Sequence, residues 1–149
     1  MLAIWNDPAF VRHVGDRGIR TIEQARAAMA EGVLKLYDEF GYGPYCMILR
    51  SSGSTVGICG LFRRENLEYP DIGFAVLPEF CGIGLANEAA SKVIHHARDE
   101  LGLEILTAIV APDNDASVNL IEKLGFSFDR GITMPGEEEQ IRLYSMRLR

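Results

Sequence analysis

FAVLPEFCGIGLANEAA, Phe74 to Ala90, is the stretch that decides the fold. It reads as the end of a strand, a proline exit, a glycine loop and the first turns of an amphipathic helix. Pro78 stops the strand because it has no amide to give a sheet ladder. Beyond Gly82 and Gly84 the period changes: Leu85, Ala89, Val93 and Ala97, flanked by Ala86, Ala90, Ile94 and Leu101, make the apolar stripe of a helix lying on a sheet. The first turn of such a helix has unpaired amides and the positive end of the helix dipole, a setting that attracts phosphate. Glycines at 82 and 84 remove side chains that would keep a diphosphate from those amides. Alone, the same GxG also serves plain packing of helix on strand.

Upstream, Tyr45 to Leu49, a turn at Ser51-Ser52-Gly53, Thr55 to Phe62, a polar turn from Arg63 to Glu68, and Asp71 to Leu77 read as three antiparallel strands in meander order. Downstream, Ile105 to Val110 is the apolar run of a buried parallel strand. Asp113-Asn114-Asp115 caps a helix from about Ala116 to Leu124, which Gly125 ends. Phe126 to Ile132 and Gln140 to Leu148 complete the strands, with Pro135 and Gly136 between them. The first 40 residues read as helical, with a turn at Asn6-Asp7-Pro8, a loop containing Gly15 and Gly18, and one helix capped by Thr21 whose apolar face holds Ile22, Ala25, Ala28 and Met29. His95 and His96 read as helix-surface residues without a third metal ligand.

The segment lacks the Gly-Lys-Ser/Thr ending of a nucleotide P-loop, which disfavours a nucleotide switch. Asn87 stands where a dinucleotide fingerprint needs a third small residue, and the loop follows an antiparallel meander instead of opening a βαβ unit. With 149 residues and 48% hydrophobic composition, one globular domain over 1–149 is expected. No apolar run approaches the ~20 residues of a membrane span and the start lacks a secretory pattern, so a cytoplasmic protein is expected. The net charge of −6 leaves no basic field for nucleic acid. Cys46, Cys59 and Cys81, odd in number and without CxxC spacing, read as small buried hydrophobes.

Proline, two residues and an xGxGxA loop, here PEFCGIGLA, resembles the pyrophosphate-binding motif of the GNAT acetyltransferases. NDASVNLIEKLGF, from Asn114, is similar to that family's second cofactor segment, and NDPAFVRHVGDRGIRT resembles the amino-terminal pattern of its ribosomal-protein (RimJ/RimL-like) branch. The resemblance covers essentially the whole chain. It implies an α/β (α+β) GNAT fold: a mixed, mostly antiparallel sheet of about six strands flanked by helices, with a cofactor cleft between two splayed central strands. It implies acetyl-CoA as co-substrate, no metal, direct transfer to a primary amine in a ternary complex, and a homodimer as a candidate assembly.

The implied roles fall on named residues. The backbone of Phe74, Ala75 and Val76 would pair with the pantetheine arm, and the amides of Cys81, Gly82, Ile83, Gly84, Leu85 and Ala86 would hold the diphosphate. Asn114 would contact the arm. Ser117 would orient it or protonate the sulfur, or else bond its own backbone. Glu68 and Asp71 are the candidate bases, and Cys81, in a loop that favours thiolate, has no accompanying base. Acceptor recognition would fall to the amino-terminal helices and the loop around Arg17 and Arg20, with Trp5, Tyr37, Tyr42 and Tyr45 as aromatic candidates. The chain departs from the family's pattern at Cys81, where many members carry Arg or Gln, and at Ile121, where many carry the tyrosine that protonates the thiolate. It also starts at the Asn6 turn, so a sheet one strand short, or completed by a partner, is expected. The alternative class is an acyl-CoA-binding module without catalysis.

Overall fold

A computed structural model describes residues 1–149. Short helices α1 (Leu2–Trp5) and α2 (Pro8–His13) lead to α3 (Ile22–Ala28) and α4 (Leu34–Phe40). The strands are β1 (Pro44–Ile48), β2 (Thr55–Phe62), β3 (Asp71–Val76), β4 (Ile105–Val110), β5 (Ser127–Thr133) and β6 (Gln140–Arg147). Helix α5 (Leu85–Asp99) joins β3 to β4, and α6 (Asp115–Lys123) follows β4. The six strands form one sheet in the order β1-β2-β3-β4-β6-β5, antiparallel everywhere except between β3 and β4. Only α5, a crossover helix, can return the chain to make a parallel neighbour.

The core lies on one face of that sheet. Cys59, Leu61, Ile72, Leu106, Ala108, Val110 and Tyr144 are buried there against Ala90, Val93 and Ala97 of α5 and Val118 and Ile121 of α6. The apolar stripe read from the sequence of α5 is therefore the stripe that is buried. Close strand packing sets a second demand. A Cβ on Gly60 would run into the Gly43 carbonyl oxygen and Pro44 Cα, and one on Gly57 into the Ala75 carbonyl oxygen.

The helix expected after Thr21 is present as one unbroken helical run over 22–40, opened by its capping box, Thr21 with Gln24, with a π-helical turn at Met29–Val33, which contains the poor helix former Gly32, set between α3 and α4. Two expectations are corrected. Ile22 is 56% exposed, and of the expected apolar face only Ala25 is fully buried. Of the cysteines, Cys59 alone is buried, and burial pushes its thiol up to about 12. Cys46 lies on the edge strand β1 and Cys81 in the exposed glycine loop, places where an apolar sequence neighbourhood does not bring cover. No helix is long and apolar enough to cross a membrane.

Gly60→Ala is expected to destabilise the protein by about 2 kcal/mol, because β1 must shift to admit the methyl group. Urea unfolding measures this, and an unchanged midpoint would contradict the close approach of β1 and β2.

Candidate active site

Strands β3 and β4 touch at one place. Asp71 is the only residue of β3 in register with β4, opposite Thr107. Thr107 fixes the junction by donating its amide (2.9 Å) and its hydroxyl (3.1 Å) to the Pro70 carbonyl oxygen. Beyond it the strands diverge, and their main-chain groups lose their partners.

Which groups face the gap follows from strand parity. The Leu77 amide donates to the Val56 carbonyl, so Leu77 and, two and four residues back, Ala75 and Gly73 turn their polar groups toward β2. Phe74 and Val76 then face β4 across the opening. Ala75, expected to pair with a ligand, is occupied with β2. On the opposite wall, Thr107 faces β3, and so does Ile109 by the same alternation.

The mouth of the gap is the glycine loop. Gly82 and Gly84 have φ of +78° and +86°, a region that admits glycine and strains other residues. Gly84 is the N-cap of α5, and no side chain caps this helix. The Cys81 amide donates to the Pro78 carbonyl, so it is not available to a ligand. From Gly82 through Asn87 no amide finds an acceptor within the chain; the next one, Glu88, bonds back to Gly84. The open row is therefore shifted by one residue from the expected Cys81–Ala86. No Cβ added at Gly82 or Gly84 would meet any atom within 4 Å, so the space in front of the loop is clear. Ile83, between the glycines, is 66% exposed.

The Cys81 thiol is engaged within the chain. Its thiol donates to the carbonyls of Val76 and Leu77 at 3.6 and 3.5 Å. Burial first, then the nearby Asp7 and Glu79 carboxylates, push its pKa up, contrary to the thiolate-favouring loop expected. Asn114 is the N-cap of α6: its side-chain oxygen accepts from the Ser117 amide at 3.3 Å. The Ser117 hydroxyl makes no hydrogen bond within the chain, so the reading in which it bonds its own backbone does not hold. Ile121 is buried in the core. The glycine loop and the Asn114 segment thus lie at the carboxyl ends of the one parallel strand pair, where α/β sheets open a crevice. Arg12 and His13 of α2 reach Asp113 beside Asn114, at 3.0 and 3.3 Å, tying the amino-terminal helices to that rim.

The two carboxylate candidates part company. Asp71 is 1% exposed, and both its oxygens accept from Arg64 Nε at 3.1 Å. Burial raises its pKa, against the lowering pull of Arg64. Glu68 is exposed, and it lines a cavity of about 410 Å³ with Tyr69, Thr107, Asp129 and Ser145. Thr107, paired with Asp71 and Ser145, points its side chain to the sheet face away from α5, so the cavity opens on that face beside the closed end of the gap.

Among the acceptor candidates, Arg20 is consumed by Asp16 (2.6 Å) and the Asn6 side chain (2.8 Å). Tyr42 is core, Tyr37 donates to the Pro44 carbonyl oxygen, and Tyr45 meets His96, which in turn meets Glu100. Arg17 lies over the buried Trp5 ring, 5.3 Å from its centroid. The sequence reading missed Arg64. Nothing in the Arg63–Glu68 turn distinguished it, because its partner is placed by the fold.

The sequence profile of the family described as acetyltransferase (GNAT) domain matches residues 1–127. This chain belongs to the GNAT acetyltransferase family. An uncharacterized N-acetyltransferase of Bacillus subtilis, YoaA, is 29% identical over 127 residues, 85% of this chain and 71% of that one. A GnaT-family acetyltransferase structure from Bordetella pertussis superposes with a TM-score of 0.77 at 26% identity, over 97% of this GNAT chain and 84% of the other. The fold is also that of yncA, an acetyltransferase from Salmonella typhimurium solved with its cofactor acetyl-CoA: TM-score 0.69 at 18% identity, over 87% and 76% of the two chains.

Arg64→Met leaves the buried Asp71 carboxylate without its cation. Because Arg64 is itself a third exposed, a cost of about 2–3 kcal/mol at pH 7 is expected. The sign with pH follows from the raised folded pKa: the folded state holds the Asp71 proton more tightly, so stability falls as pH rises from the ordinary aspartate value to the folded one. The penalty should therefore be smaller at pH 4 than at pH 7 in urea titrations, and a penalty that grows on acidification would contradict the assignment.

Proposed function

We propose that this protein is an acetyl-CoA-dependent N-acetyltransferase that passes the acetyl group directly to a primary amine while both substrates are bound. One observation carries the reading: the open amides from Gly82 to Asn87 stand at the mouth of a gap whose facing strand groups, at Phe74, Val76 and Ile109, are also unpaired. Unpaired main-chain donors at a helix start suit a diphosphate, and an unpaired strand edge suits an extended chain of amides. A pantetheine diphosphate has both features in that order. The residues present therefore fit coenzyme A, and the acetyl thioester supplies the activated carbonyl when bound.

The rest of the mechanism is what this chain's own groups do. The Asp71–Thr107 junction limits how deep the gap runs. Ser117, in the first turn of α6 with an unengaged hydroxyl, is the donor for the departing thiolate, a role that Ile121 in the core cannot take. Of the carboxylates, Glu68, exposed beside Tyr69, is the one placed to take a proton from the amine, directly or through water, because Asp71 is covered and held by Arg64. The amine enters from the face away from α5, through the cavity beside Glu68 and Tyr69. An acyl-CoA-binding module would share the first half of this arrangement and lack the second.

Calorimetry with acetyl-CoA and thiol release with an amine panel separate the two. Binding together with amine-dependent release is expected, whereas binding without release would leave only the module. Ser117→Ala should lower kcat about a hundredfold and leave acetyl-CoA affinity nearly unchanged. Gly84→Ala, strained at its φ of +86°, should weaken acetyl-CoA binding about tenfold.

A further inference from the structure

We propose that the amine acetylated here sits on a polyhydroxylated carbon skeleton, because the cavity beside Glu68 offers its occupant hydroxyl groups set between apolar side chains. This rests on the reading in which the acceptor enters through that cavity, and it names the chemistry of the rest of the acceptor.

The hydroxyls form a row fixed by strand register. Asp71 lies opposite Thr107, Thr107 opposite Ser145, and Ser145 opposite Ser127. Residues directly opposite each other share a face of the sheet. Four polar side chains therefore cross the neighbouring strands β3, β4, β6 and β5 on the face away from α5. Neighbouring strands are about 4.8 Å apart, so the row leads outward from the closed end of the gap in steps of that size. Two residues along each strand the character changes. Ile105 on β4 and Leu143 on β6 share the face with Thr107 and Ser145, and all four line the cavity of about 410 Å³.

These polar groups have capacity to spare. Thr107 gives its proton to the Pro70 carbonyl oxygen at 3.1 Å, which leaves its own oxygen able to accept. The hydroxyls of Ser145 and of Thr133, another lining residue, make no hydrogen bond within the chain. Asn66, also in the lining, spends one donor on Met134 Sδ at 3.2 Å and keeps its amide oxygen free.

The charges in the cavity point away from an ionic acceptor body. Arg130 is paired with Asp129 at 2.7 Å, so the one lining cation is not left to draw an acid. Glu68 is the carboxylate left to face the amine itself. What remains is neutral: groups that give or take hydrogen bonds, between Ile105, Ile132 and Leu143. A carbon chain or ring with hydroxyls at successive positions carries the same alternation, apolar C–H edges beside O–H groups that both donate and accept. An alkyl body would leave the cavity's hydroxyls against apolar surface with their bonds unmade. The volume is that of a small-molecule pocket.

In turnover with acetyl-CoA, D-glucamine, a linear polyol amine, against hexylamine, which has the same carbon count, isolates the hydroxyls. The polyol amine is expected to have about tenfold higher kcat/KM, chiefly through KM. Ser145→Ala should raise its KM about fivefold, as the loss of one hydrogen bond does, and narrow its lead over hexylamine. Thr133→Val, on the exposed strand β5, is the second variant should the first disturb the sheet, and it should narrow the lead in the same way. A difference in amine basicity alone would survive both substitutions.

Titration without turnover uses the product-like amides. The backbone amide signals of Thr107 and Ser145 should shift saturably with N-acetyl-D-glucamine at about tenfold lower concentration than with N-hexylacetamide. Equal or faster turnover of hexylamine, a lead that both variants leave unchanged, or no preference in the titration overturns the proposal. If acetyl-CoA does not bind, or neither amine turns over, it is the transferase reading that falls, and the titration still decides whether the cavity takes polyols.

Discussion

Everything distinctive about this protein depends on β3 and β4 meeting only at Asp71 and Thr107. A parallel pair normally continues its ladder, because every main-chain donor and acceptor left unpaired inside a protein is costly. Here the Pro70 carbonyl takes both the amide and the hydroxyl of Thr107, which anchors one end firmly, and the ladder then stops. The other pairs, β1–β2, β2–β3, β4–β6 and β5–β6, run on along the strands, with register shifts at Met47/Ile48 and Phe128/Arg130, and hold the two halves of the sheet. The core of α5 and α6 residues spans both halves, so the opening is supported instead of collapsing.

The two faces of the sheet then divide the work. The α5 face is filled with apolar side chains, and its helices present their amino ends to the opening: α5 uncapped by any side chain, α6 capped by Asn114. A buried helix end without partners would be a defect, but an exposed one facing a cleft is a binding surface. The other face carries Arg64, Asp71 and Glu68 around the closed end. Unpaired main-chain groups thus lie on one side and titratable side chains on the other.

Burial separates the two carboxylates. Asp71 and Glu68 are three residues apart and were indistinguishable by type. Placing Asp71 at the start of β3 under Arg64 turned it into a structural ion-pair member, and leaving Glu68 in the turn kept its carboxylate in contact with a solvent-open cavity. Cys81 shows the same rule for thiols: loop position alone suggested reactivity, and two nearby carboxylates with partial burial reverse it.

The order of elements was legible along the chain because it is written in local periodicity. The strand run Thr55–Phe62, the stripe of Leu85–Asp99, the apolar run Ile105–Val110 and the Gly82/Gly84 loop each need only neighbours a few residues away. The π-helical turn at Met29–Val33, the exposure of Cys46 and the pairing of Arg64 with Asp71 depend on what lies across the fold, and no local pattern encodes that. The same division holds at the site. The sequence alone determined that a glycine loop opens a helix after a strand, and hence that free amides would exist. Which of them are free, and that Ala75 faces β2 while Phe74 and Val76 face the gap, were decided only by tertiary structure, because strand parity is a property of the pairing between distant segments.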